Sequence, residues 1–281
     1  MKKSPQGFTL VEMLVAISIM SFMLLTMAQI TNLTEKAWRM EQNRIDNFTK
    51  ARSMVDLITD DLQRAVFRGD LPIFGSGGPN TTPTSTGTGL RYFTGTTFTN
   101  AFYTRLPGLP DPANSQVRDV SLVSYVLNSV NQGSDKIVLQ RSDLSVPWSS
   151  DQNLSFQGDI TPLLQNSITR QVSPGVVGFR LAFRRADGTI IDQSQYTGYN
   201  ATNPVVAIDV GLAVVAKQSL AMLSTQQISD IQAALASATI DHGIKATWDQ
   251  KVLSTAFYDG YPKDLGNGLK TFERWVACPA F

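Results

Sequence analysis

Phe8-Thr9-Leu10-Val11-Glu12-Met13-Leu14-Val15-Ala16-Ile17-Ser18-Ile19-Met20, continuing through Ser21-Phe22-Met23-Leu24-Leu25-Thr26-Met27-Ala28-Gln29-Ile30, is the stretch on which the rest of the chain turns. As a helix it is long enough to cross a bilayer core of about 30 Å. The residues before it, Met1-Lys2-Lys3-Ser4-Pro5-Gln6-Gly7, are polar and basic. A Lys2-Lys3 pair in that place fits an N-terminus kept on the cytoplasmic side. Glu12 is the exception within the apolar run. A charged carboxylate at bilayer depth costs at least about 2.5–3.5 kcal/mol on insertion scales. It must therefore sit close enough to the interface to reach water, or meet a cation.

The helical period outlasts the apolar composition. Ile30, Leu33, Ala37 and Met40 keep i, i+3, i+7, i+10 spacing, and Phe48, Ala51, Val55, Ile58, Leu62 and Ala65 resume it. Lys36, Glu41, Lys50, Asp56, Asp60 and Arg64 fill the other face, and the pair Asp60-Asp61 reads as solvated. No Gly or Pro interrupts Phe8 to Arg68, and Gly69 then offers a C-terminal cap, with Pro72 shortly after. One helix of roughly 60 residues follows, bare in its first half and amphipathic in its second.

Downstream, residues 75–89 are rich in Gly, Ser, Thr and Pro and read as a flexible surface loop. Arg91–Tyr103 is extended, and Leu106–Asn114 is a loop broken by Pro107, Pro110 and Pro112. Leu122–Leu127 and Lys136–Arg141 flank Asn131-Gln132-Gly133 as a hairpin. Val176–Phe183 leads through Ala186-Asp187-Gly188 to Thr189-Ile190-Ile191. Pro204 opens a strand Val205–Ala216 whose weak alternation suits burial on both faces. Ser224-Thr225-Gln226-Gln227 fits a capping box, and Ile228, Ile231, Leu235 and Ala238 continue it as a helical stripe. Leu269–Ala277 reads as a last strand.

Gly7-Phe8-Thr9-Leu10-Val11-Glu12 after a short basic leader resembles the processing motif of type IV prepilins and type II secretion pseudopilins. The resemblance implies that a prepilin peptidase cuts after Gly7 and methylates the new amine of Phe8. It also implies that Glu12 attracts the N-terminal amine of a neighbouring subunit during assembly. The expected fold is α+β: a long N-terminal helix, transmembrane in its first half, packed on an antiparallel sheet. The implied organisation is a leader 1–7, a membrane half of the helix 8–30, an exposed half 31–69, and a β-rich domain 70–281 with a helical insertion near 224–239. In element order the chain looks like the J-position minor pseudopilin and the prepilin-type Verru_Chthon cassette protein C. The implied partners are other pilin-like subunits, the peptidase and the inner membrane. The C-terminal domain would lie in the periplasm or outside.

Composition narrows the other classes. The formal net charge is +1, so no global basic field points to nucleic acid. Cys278 is the single cysteine, which excludes an intramolecular disulfide, and is expected to be a small, partly buried residue. His242 is the single histidine, a poor basis for a zinc enzyme or a Ser-His-Asp hydrolase. No GxxxxGK[ST], HExxH or GxSxG is present. Asp111, Asp119 and Asp143 lack metal-like spacing, Arg184-Arg185 reads as surface charge, and the C-terminal aromatics read as core. Neither an enzyme nor a cofactor or metal is expected. Two alternatives stand beside the filament subunit: a minor pilin whose exposed domain grips DNA, a surface or an exported protein, and an exported enzyme tethered by its helix. An ordinary secretory signal, cut after Thr26-Met27-Ala28, competes at the N-terminus but would carry Glu12 inside an overlong apolar region.

Overall fold

A computed structural model describes residues 9–66, 72–74, 83–86, 92–94, 99–106, 120–132, 135–145, 168–193, 202–252, 254–262 and 265–278. The chain divides into two compact units, Met1–Ile45 and Asp46–Phe281. Helix α1, Leu10–Gln63, begins in the first and ends in the second. In the first unit its large apolar side chains, from Leu10 to Ile45, are exposed.

In the second unit, Ala51, Met54, Val55, Ile58, Leu62 and Ala65 are buried in one stripe, as the periodicity requires. The helix stops at Gln63, five residues short of the expected Arg68. The cause is competition for the backbone. Val66 N–H donates to Tyr103 C=O, Arg105 N–H donates to Arg64 C=O, and Ala65 bridges Thr104. Once a strand takes these groups, the helix cannot continue. The expected cap Gly69 lies outside the described residues.

Three antiparallel sheets follow among the described residues. β1 (Pro72–Phe74) pairs with β2 (Pro83–Thr86), so part of the stretch read as a flexible loop is a strand. A five-stranded sheet runs β3 (Tyr92–Thr94), β4 (Thr99–Thr104), β5 (Ser121–Gln132), β6 (Asp135–Ser145) and β7 (Ile168–Pro174), with the expected hairpin as β5–β6. The loop read at Leu106–Asn114 lies almost wholly outside the described residues. A four-stranded sheet has the order β11 (Leu269–Ala277), β10 (Val205–Val215), β8 (Val176–Arg185), β9 (Ile190–Asp192).

Alternation in β8 and β10 now has its explanation. Phe179, Leu181, Phe183, Ile208, Val210, Leu212 and Val214 point into one core with the α1 stripe. Val177, Ala182, Ala213 and Val215 point into a second core on the opposite face. That face is covered by α2 (Lys217–Met222), α3 (Thr225–Ala236) and α4 (Ile244–Val252). Three helices thus stand where a single one was expected near 224–239. Ile244, Trp248 and Val252 form a second stripe at i, i+4, i+8 that is too short for sequence periodicity to separate from a loop. The Ser224 capping box is present in full: Gln227 N–H donates to Ser224 Oγ at 3.1 Å, and Ser224 N–H to Gln227 Oε1 at 2.9 Å. Arg180, buried on β8, donates to the Leu235 and Ala238 carbonyls at the end of α3 and pairs with Asp192.

Candidate functional site

Among the expected site residues, Gly7 and Phe8 lie outside the described residues, and Glu12 is in the first turn of α1. Thr9 and Glu12 form a reciprocal cap. Glu12 N–H donates to Thr9 Oγ1 at 3.3 Å, while Glu12 Oε2 accepts from Thr9 N–H and from the Thr9 hydroxyl, each at 3.0 Å. This is a capping box of the Thr-x-x-Glu kind, and it gives the negative carboxylate the positive end of the helix as a partner. The contact three residues away is legible in the spacing of Thr9-Leu10-Val11-Glu12.

Beyond Glu12, residues 13–34 carry no Asp, Glu, Lys or Arg. As a helix they span about 33 Å, which matches a hydrocarbon core. Four of the hydroxyls inside this stretch are turned back on the helix itself. Ser18, Thr26, Thr31 and Thr34 donate to the carbonyls of Leu14, Met23, Met27 and Ile30 at 2.8 to 2.9 Å. Such bonds leave the outer surface apolar and need no water. Polar pairing resumes after it, with the exposed Arg39–Glu35 ion pair one turn apart. By length and composition, Leu10–Gln42 can cross a membrane, and its apolar window is not buried in protein.

A second polar cluster lies in the other unit and corrects the reading of Asp60-Asp61. Asp60 is exposed, but Asp61 is only 2% exposed. Arg141 on β6 grips it with Nε at 2.8 Å and Nη2 at 3.2 Å, and the Tyr125 hydroxyl on β5 donates to the same carboxylate. Arg141 also pairs with Asp143. Burial opposes the Arg141 charge, but the Asp61 carboxylate outweighs it and holds the guanidinium pKa above its ordinary value. Burial, then the Asp61 charge, raises Tyr125. Asp61 follows Ile58 by three positions, on the edge of the apolar stripe, and that spacing was the available signal. The arrangement fastens α1 to the β5–β6 hairpin; its acids and base are spent on one another, which leaves no free group for acid–base chemistry.

No group of three or more His, Cys, Asp or Glu could hold a metal ion among the described residues. Cys278 is half-buried against the first core, and burial pushes its thiol up to about 12. Trp248 is buried, Phe257, Tyr258 and Tyr261 pack around the second core, and Arg184 lies over the Trp275 ring at 5.6 Å. Comparison with known proteins bears on the N-terminus. No curated protein matches the chain. Residues 2–28, which contain Gly7, Phe8 and Glu12, match the family model described as the prokaryotic N-terminal methylation motif, the signal of type IV pilin-like proteins.

Proposed function

We propose that this chain is a structural subunit, a minor pilin or pseudopilin, of a type II secretion or type IV pilus-like filament. The observation that carries the reading is the methylation motif at residues 2–28 lying on a helix whose large apolar side chains from Leu10 to Ile45 are exposed. In this account prepilin peptidase removes residues 1–7 and methylates Phe8. The helix from Phe8 to about Ile30 holds the subunit in the inner membrane, and the exposed half follows from residue 31. The β-rich unit lies in the periplasm or outside. Assembly then brings the apolar helices of neighbouring subunits together.

Glu12 has two roles to reconcile. Within one chain it caps its own helix through Thr9. Between chains, the amine released at Phe8 supplies a cation in the same layer of membrane, where an unpaired charge is costly. Two substitutions separate these roles. Glu12→Ala removes both. Glu12→Gln keeps a residue that serves at the third position of a capping box but removes the charge. Both variants should reach the membrane of the native host and be largely missing from filaments sheared from it. Normal incorporation of Glu12→Gln would end the charge-pairing account, and normal incorporation of Glu12→Ala would count against the filament-subunit reading itself.

A further inference from the structure

Asp209 stands in the middle of β10 and is fully buried. Its Oδ2 accepts from the Ile244 N–H at 2.9 Å, and its Oδ1 has no donor. One strand away on β11, Glu273 Oε2 accepts from the next amide, Lys245 N–H, at 3.2 Å. Two carboxyl groups therefore meet the first turn of α4 together. The backbone is shaped for this approach. A Cβ at Gly211 would lie 2.3 Å from Ile244 Cγ2, and one at Gly243, whose φ is +123°, would lie 2.6 Å from Glu273 Oε1. Gly243 also needs its left-handed φ to turn the chain into α4.

A buried carboxylate oxygen without a donor is expensive, and nearby cations do not relieve it. Lys245 pairs with Asp249, which also receives the Thr271 hydroxyl. Lys251 reaches the Ser237 hydroxyl. On β8, Arg180 is held by Asp192 and the α3 carbonyls, and Arg184 lies over Trp275. Asp241 and His242, in the turn before α4, are both exposed. A metal cation is opposed by the positive end of α4, which already fills one oxygen of each carboxyl. A proton fits: it turns Oδ1 of Asp209 into a donor and Glu273 into its acceptor.

We propose that Asp209 and Glu273 share one proton, and that this proton latches the helical block α2–α4 onto the four-stranded sheet. Burial first, then the Glu273 carboxylate, pushes the Asp209 carboxyl up to about 9. The unfolded value is about 4, so the docked form keeps a proton that the opened form releases. Docking is therefore firmest at low pH and weakens as pH rises from about 4 towards about 9. An alkaline environment would loosen α4 while the opposite core, which holds no such pair among its described residues, stays closed.

The test is hydrogen exchange on the full-length chain in detergent micelles, read by mass spectrometry on peptides covering residues 241–252 and corrected for intrinsic exchange rates. Between about pH 6 and about pH 9 the protection of these peptides should fall by at least about tenfold, since one pKa unit is a factor of ten. Asp209→Asn carries a permanent donor and should flatten that fall. Glu273→Gln, which can donate an amide proton to Oδ1, should flatten it too and decides the matter should the first variant fail to fold. A pH profile shared by the wild-type chain and Glu273→Gln would overturn the latch, as would a wild-type profile with no fall.

Discussion

Helix α1 contains two kinds of apolar residue that the sequence writes in the same letters. Ile17 is 63% exposed, whereas Ile58 on the same helix is 0% exposed. The first stretch is apolar on every side and the second on one stripe only, and that difference foretells their fates. A one-sided stripe is satisfied by a protein core, while an all-round apolar surface needs lipid or other helices. Polar side chains differ between the two stretches as well. The hydroxyls of Ser18, Thr26, Thr31 and Thr34 bond back to their own helix, whereas the carboxylate of Asp61, at the edge of the stripe, reaches 80 residues along the chain to Arg141.

The sharpest way to break this contrast is at Asp61. Asp61→Ala takes the acceptor of the buried Tyr125 hydroxyl and leaves Arg141 with Asp143 alone, and should cost the second unit up to about 3–5 kcal/mol, the usual penalty for removing one partner of a buried pair. Denaturant unfolding of the full chain in micelles measures it; a loss within the range of a surface substitution would mean the network contributes little. A matched pair comes next. Ile58→Ala should cost about 2–5 kcal/mol through the cavity it leaves. Ile17→Ala should leave that unfolding transition where it was, because no protein contact is lost. Equal effects from the two would erase the distinction.

Smaller effects sharpen the picture around the helical block. Gly211→Ala drives a methyl into Ile244 and should cost about 1–3 kcal/mol, as overpacking does. A loss in Gly211→Ala with Ile244→Ala smaller than the sum of the two single losses would place the strain at this contact, since alanine removes the Cγ2 that the new methyl meets. Ser224→Ala removes one half of the α3 capping box and should cost about 1 kcal/mol. A much larger loss would show that the cap does more than end the helix.

The long helix, the β5–β6 hairpin, the β8–β9 turn, the doubly buried β10 and the Ser224 cap were legible because each rests on local spacing or turn chemistry. The helix end at Gln63 was not, since a strand partner 39 residues on captures Ala65. Nor was α4, whose nine residues show only three buried positions. Asp61 and Asp209 were missed for one reason: a buried acid is recognised by its partners, and Arg141 and Glu273 lie 80 and 64 positions away. At the N-terminus the motif was complete in the letters, and the structure added only the reciprocal Thr9–Glu12 cap.

The central claim is that Gly7 and Phe8 mark a processing site and not part of a plain anchor. Intact mass and N-terminal sequencing of the protein recovered from the membranes of its native host test it most directly. The account predicts a chain that begins at Phe8 and carries one added methyl group on its amine. A chain that begins near Gln29 would mean ordinary secretion and would contradict the filament-subunit account outright.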